Sequence, residues 1–147
     1  MDVTHAVCFR PIGVLRTPFK EIAGMPIQPL GATGVRGAAE IFPEFTDGLQ
    51  DLEGFSHLIV LYHFHHAPAP RLQVTPFLDG KPHGVFATRA PARPNPIGLS
   101  IVRLLRQEDC MLYLENVDML DGTPLLDLKP YVPEFDICTV ERVGWLE

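Results

Sequence analysis

The residues best suited to chemistry fall in three short stretches. The longest is GVFATRAPARPNPIGLS, residues 84–100, where Arg89, Arg93 and Asn95 are interleaved with Pro91, Pro94 and Pro96 and Gly98 closes the run. Each proline fixes its own φ and pushes the residue before it toward extended geometry, so Ala90, Arg93 and Asn95 are turned away from helix. Such a loop has little entropy to lose on folding and holds two guanidiniums and an amide in fixed places. It reads either as a stiff surface connection with solvated arginines or as the rigid frame of a site.

The second stretch is HLIVLYHFHH, which ends in His63, His65 and His66. In an extended chain His63 and His65 share one face and His66 points to the other. Carboxylate or cysteine partners at ligand spacing are missing, so metal binding is not expected. Two readings stay open: half-buried strand-end histidines bonded to backbone, or histidines lining a pocket at the strand's mouth. The third stretch is LDGTPLLDLKPYVP, residues 120–133. Asp121, Gly122, Thr123 and Pro124 make a sharp turn, and Asp127 and Lys129 follow on one strand face. This is either a hairpin turn with a surface ion pair of little energetic value, or a polar rim that accepts bonds from a ligand.

The elements that position these stretches are short. Strands are expected over residues 6–15, 38–45, 57–64, 85–88, 99–105 and 110–119, with a turn or two of helix over 46–53 that Gly54 stops. The strand over 57–64 is the most persuasive, β-branched and apolar through its middle. Residues 20–37 are irregular, and residues 67–83 form a Pro-rich connection with a turn at Asp79-Gly80. Short strands punctuated by Gly and Pro, with no strong amphipathic helix, predict a mainly β fold: an antiparallel barrel or sandwich with long loops. No G-x-G-x-x-G follows a strand, so the doubly wound nucleotide fold has no support.

With 147 residues, 46% hydrophobic and 20% charged, the chain reads as one globular domain over residues 1–147 with no additional C-terminal domain. No apolar run reaches the roughly 18 residues of a membrane span, and no secretory signal is legible. Three widely spaced cysteines match no zinc or disulfide pattern, which predicts a reducing, cytoplasmic setting. The net charge is −6, from 12 Lys+Arg against 18 Asp+Glu, so any grip on nucleic acid must come from a local basic cluster or a second subunit.

IGVLRTPF, the Q-P of IQPL, LEGFSHLIVLYHFHH, GVFATRAPARPNPIGLS and DGTPLLDLKPYVP together resemble the TsaA-like (YaeB-type) family over about residues 10–135. The resemblance implies a small, mostly antiparallel β-barrel acting as a homodimer. It implies S-adenosylmethionine as cofactor, bound outside the doubly wound architecture, and methyl transfer to N6 of N6-threonylcarbamoyladenosine beside the anticodon of a tRNA. Carried over by position, cofactor contacts fall on Pro26, Ile27, Gln28, His65, His66, Arg93, Asp121, Gly122, Thr123 and Pro124. Arg89, Asn95 and Lys129 match signature positions. The chain has Pro26-Ile27-Gln28-Pro29 where the family commonly has P-R-Q-P, and the additional C-terminal region of the well-studied bacterial form is not expected.

A sulfonium methyl is already activated, so its transfer is an in-line displacement that needs placement more than acid–base power. On this reading Arg93 and Asn95 orient the reactants, the Asp121 turn binds polar groups of the cofactor, and His65 or His66 packs beside it. A histidine or Asp121 accepts the departing proton. Arg89, Lys129 and Tyr131 are the expected substrate contacts, with Phe86 and Tyr131 as stacking partners for an unpaired base. The competing functions are methylation of a small metabolite and a non-catalytic S-adenosylmethionine-binding module.

Overall fold

The computed structural model describes residues 3–22, 29–76 and 79–147. Among them, six strands close into an antiparallel barrel: β1 (Gly13–Arg16), β2 (Arg36–Ile41), β3 (His57–His63), β6 (Ile97–Glu108), β7 (Met111–Glu115) and β8 (Thr123–Pro130), in the order β1-β2-β7-β6-β3-β8. A two-stranded ribbon, β4 (Gln73–Val74) and β5 (His83–Gly84), lies in the connection between β3 and β6, and one short helix, α1 (Pro133–Asp136), follows the barrel. The expected barrel is the one observed.

Period-two patterning fills the interior. Leu58, Val60 and Tyr62 of β3 point inward with Val102 and Leu104 of β6, meeting Leu15, Ile41, Leu112, Leu114 and Leu125 from the other strands. Each fully buried leucine contributes about 1.5–3 kcal/mol relative to exposure, so a core of this kind suffices for a small barrel. Two irregularities adjust the pleat. The register slips between Leu61 and Tyr62 against β8, and between Leu104 and Arg106 against β7. The first keeps both Leu125 and Leu128 packed on the core while Asp127 and Lys129 face out.

Several element bounds differ from the sequence expectations, each for a local reason. The chain joins the barrel only at Ile12, whose N–H bonds Leu125 O, because Pro11 has no N–H to offer and a closed barrel has no edge to accommodate it. The second strand stops at Ile41, since Pro43 opens a 3-10 turn over Pro43–Leu49 that seats Leu49 in the core; a second turn spans Leu52–Gly54. No strand forms over 85–88. Instead Val85–Ala87 is a 3-10 turn in which both the backbone N–H and the hydroxyl of Thr88 bond Val85 O, a local competitor to strand pairing. The strand expected over 110–119 ends at Glu115, because Asn116 takes φ +71°. The turn at Asp79-Gly80 is present, with both N–H groups on Pro76 O.

The antiparallel order decides what meets at each end. One end collects the segments after β1, after β3, before β6 and between β7 and β8, which are residues 17–22, 64–66, 89–96 and 116–122. The other end collects the starts of β1 and β3, the β6–β7 hairpin and the exit of β8 at Lys129 and Pro130.

Candidate active site

The first of these ends, the mouth, brings together His65, His66, Arg89, Arg93, Asn95, Asp121, Gly122, Thr123 and Pro124. Strands β6 and β8 flank β3, so the loop before β6 and the turn before β8 enter the barrel about 10 Å apart, two interstrand spacings. Beside this mouth, on the outer wall, lies a cleft of about 630 Å3 in which Asn95, Pro96 and Ile97 face Pro124 and Leu126 across His63, with Val3, Val7 and Phe9 of the N-terminal segment closing it; His65, His66, Arg89, Arg93, Asp121, Gly122 and Thr123 do not line it. Pro26, Ile27 and Gln28 lie outside the described residues. Lys129 and Tyr131 do not reach this mouth. Thr123 and Lys129 sit at opposite ends of β8, about 20 Å apart along an extended strand, and Tyr131 N–H bonds His57 O at the far end. The two expected substrate contacts Lys129 and Tyr131 thus lie at the opposite end of the barrel from Asp121 and Arg89.

Each part of the mouth is held by its own sequence. Arg93 closes its loop: Nη1 donates to Thr88 O (3.0 Å) and Ala90 O (3.1 Å), and Arg93 N–H donates to Pro91 O (2.8 Å). The guanidinium expected to orient reactants is thus also the tie that shapes the loop. Ala92 is buried beneath it, and Asn95 and Arg89 stay exposed. Phe86 stands fully out on the preceding turn. A neighbouring clamp steadies that turn: Trp145 stacks on His83 at 4.6 Å and donates Nε1–H to Ala87 O (2.8 Å), while His83 bonds Asp79 (2.6 Å).

The Asp121 turn is a rivet between β8 and β1. Asp121 Oδ1 accepts Thr17 N–H (2.9 Å) and Oδ2 accepts Lys20 Nζ (2.9 Å), while Gly122, at φ +81°, sends its N–H to Leu15 O (2.8 Å). Thr123 Oγ1–H closes the turn on Leu120 O. The lysine, then the Thr17 N–H, hold the Asp121 carboxyl below its ordinary pKa against the opposing effect of burial. Asp127 and Lys129 pair with each other at 3.0 Å on the exposed face, a contact of small energetic weight.

At the end of β3 the chain turns. Ala67 N–H bonds Phe64 O, which puts His65 and His66 at the turn's centre with their rings 4.2 Å apart. The expectation that His63 and His65 share a strand face fails because the strand ends at His63. Burial, and next the neighbouring His66, lower the His65 pKa, so its imidazole is neutral at pH 7. Among the described residues no group of three or more side chains is placed to hold a metal ion.

Sequence reasoning missed one feature. Inside the mouth, the Tyr62 hydroxyl meets Ser100 Oγ at 2.9 Å, and Ser100 donates to Asp118 Oδ1 at 2.6 Å. Burial and then the Asp118 charge push the Tyr62 phenol up to about 12, against the opposing effects of Ser100 and Arg89. Burial also raises the Asp118 carboxyl, partly offset by the Ser100 hydroxyl and by its own backbone N–H. The one sequence cue was a serine and a tyrosine at inward positions of otherwise apolar strands.

Comparison with known proteins agrees with this architecture. A family model described as the tRNA-methyltransferase O N-terminal domain matches residues 14–137. A Pyrococcus abyssi protein named as a probable S-adenosyl-L-methionine-binding protein is 56% identical over 141 residues, covering 96% of this chain and 77% of that protein. A human tRNA (adenine(37)-N6)-methyltransferase is 39% identical over 133 residues, covering 86% of this chain and 30% of that protein. A crystal structure of TrmO from Pseudomonas aeruginosa superposes with TM-score 0.80 at 43% identity, over 95% of this chain and 62% of that one. The chain thus spans under two thirds of that solved structure and under a third of the human protein. Because the matched segment runs through every barrel strand and every loop of the mouth, the chain belongs to the tRNA-methyltransferase O N-terminal domain family.

Proposed function

We propose that this chain binds S-adenosylmethionine at the barrel mouth and transfers its methyl group to a nitrogen of a tRNA nucleoside, N6 of N6-threonylcarbamoyladenosine beside the anticodon. The observation that carries the reading is the meeting, at one end of the barrel, of the Arg93–Asn95 loop, the His65–His66 turn and the Asp121 turn. The neighbouring cleft, about 630 Å3, reaches this end through Asn95, Pro96 and Pro124. Names borne by relatives support both parts: S-adenosyl-L-methionine binding for the archaeal protein and tRNA adenine methylation for the human one.

S-adenosylmethionine supplies a methyl on a positively charged sulfur, with a carboxylate, an amine and an adenine as handles. The chain's residues fit those handles. Arg93 answers the carboxylate, the Asp121–Pro124 turn presents polar groups, and His65 and His66 pack against the adenine; Pro26, Ile27 and Gln28 keep the cofactor role that the resemblance implies. Asn95 and Arg93 orient the reactants, and Arg89, beside the exposed Phe86, meets the nucleic acid. The mouth also answers the charge problem raised by the net −6. Arg16, Lys20, Arg36, Arg89 and Arg93 all come from segments at this end. Three of them are ion-paired, to Glu40, Asp121 and Glu115, which leaves Arg89 and Arg93 without an acidic partner among the described residues. Arg89, exposed, is the phosphate contact of this reading, while Arg93 serves the cofactor.

The chain works as a homodimer in this account. The outer face of β6 exposes Ile97, Leu99 and Ile101, and Ile59 and Leu61 of β3 stand directly opposite Ile101 and Leu99. A contiguous apolar strip on a barrel wall marks an association surface. A tRNA substrate implies a cytoplasmic setting on this reading. Separately, no described helix is long and apolar enough to cross a membrane. Isothermal calorimetry with S-adenosylmethionine tests the core of the proposal: saturable one-site binding is expected, and no heat of binding by the intact chain overturns it.

A further inference from the structure

The Tyr62–Ser100–Asp118 chain runs from two buried hydroxyls to a half-buried carboxylate. Its proton positions follow from chemistry. A carboxylate has no proton to give, so Ser100 donates to Asp118 Oδ1, and Ser100 has only one proton, so Tyr62 must donate to Ser100. Oδ1 of the half-buried Asp118 is thus engaged by Ser100, and among the described residues no second side chain bonds its carboxyl, so Oδ2 is the oxygen we assign to take a proton. The side chain that touches it is Ser100 from β6; behind Ser100 stands Tyr62 from β3, whose phenol feels both the Asp118 charge and Arg89 from the loop before β6. The other carboxylate of this end, Asp121, has both oxygens bound, to Thr17 N–H and to Lys20.

We infer that Asp118 is the proton acceptor of the methyl-transfer step, taking the N–H proton of the acceptor nitrogen onto Oδ2, with Ser100 and Tyr62 as positioning residues; this rests on the methyl-transfer reading above. The step balances. The acceptor nitrogen's electron pair forms the new N–C bond while the S–C pair leaves with sulfur, which becomes a neutral thioether. The N–H proton passes to the carboxylate, and from there to solvent. A planar, conjugated N–H is a poor nucleophile until that proton is drawn away, so a fixed base contributes where placement alone is insufficient. The elevated proton affinity that burial gives Asp118 suits it to this task better than Asp121, whose affinity is depressed.

The test compares wild type, Asp118→Asn, Ser100→Ala and Tyr62→Phe by thermal melting, S-adenosylmethionine calorimetry, methyl transfer against pH, and 13C NMR titration of the Asp118 carboxyl. Asp118→Asn keeps the shape and the Ser100 bond, so the expected result is unchanged cofactor affinity, a rate lower by about 10²–10⁴-fold, and loss of the acidic limb of the profile. Ser100→Ala removes a donor that favours the charged carboxylate. The NMR-observed Asp118 pKa and the acidic limb should therefore both move to higher pH, whether or not Asp118→Asn folds. A full rate in a folded Asp118→Asn, or an acidic limb that stays in place while the NMR pKa moves in Ser100→Ala, overturns the inference and leaves the methyltransferase reading standing. Failure of the wild type to bind S-adenosylmethionine overturns both.

Discussion

The ring of Tyr62 lies directly on the backbone of Gly98, its register partner across β3 and β6, in the space a Cβ at residue 98 would occupy. Phe64 meets the same spot and packs edge-on against Tyr62 at 5.4 Å. The glycine that ends the proline-framed loop is therefore what allows the tyrosine to reach Ser100. Gly98→Ala should cost about 1–3 kcal/mol through overpacking and displace the Tyr62 hydroxyl. Urea denaturation should show the loss, and a variant as stable as wild type would contradict the contact.

Asp121 ties the start of β8 to the end of β1 through two charge-assisted bonds. Asp121→Ala should cost about 1–3 kcal/mol at neutral pH, mostly through the orphaned Thr17 N–H. The sign with pH follows from the direction of the shift. The folded-state pKa is depressed, so this contribution is fully present above the unfolded aspartate value near 4 and is lost as pH falls through the folded value. Urea midpoints of wild type and Asp121→Asn, measured from neutral to acid pH, should converge at the acid end. A gap that stayed constant would show that the carboxylate's charge contributes nothing.

Arg93 has two tasks, and one substitution pair separates them. Arg93→Ala leaves Thr88 O and Ala90 O without their donor and removes the cation. Arg93→Lys keeps the charge but loses the planar fork. Calorimetry should show S-adenosylmethionine affinity falling by about tenfold or more, roughly 1.4 kcal/mol or above, in Arg93→Ala, with partial recovery in Arg93→Lys. Equal affinity in all three proteins would confine Arg93 to loop closure.

The strip of Ile97, Leu99 and Ile101 predicts a concentration-dependent dimer. Leu99→Asp places a charge at its centre, on a side chain that faces outward, so the barrel core is untouched. Analytical ultracentrifugation should show a dimer for the wild type and a monomer with unchanged melting temperature for the variant. A monomeric wild type at micromolar concentration would remove the dimer from the account.

Much of the barrel was legible because period-two burial writes itself into side chains: Leu58, Val60 and Tyr62 alternate with Ile59, Leu61 and His63. The loops were harder. Thr88 captures Val85 O and turns an apparent strand into a 3-10 turn, a local competition that hydrophobic pattern does not register. The motif DGTPLLDLKPY reads as one unit in sequence, yet a strand of eight residues carries Lys129 and Tyr131 to the opposite end from Asp121. The Tyr62–Ser100–Asp118 chain was illegible for the converse reason. Its members come from β3, from β6 and from the segment after β7, and only closure of the barrel makes them neighbours.

The most direct measurement supplies methyl-labelled S-adenosylmethionine to the chain with two otherwise identical tRNAs, one carrying the threonylcarbamoyl group at the adenosine beside the anticodon and one lacking it. Nucleoside mass spectrometry then locates the label. The account predicts label on that modified adenosine and none on its unmodified counterpart, at a rate that falls in Arg93→Ala. Tight binding of S-adenosylmethionine with no label on either tRNA would contradict it and turn attention to a small-molecule acceptor.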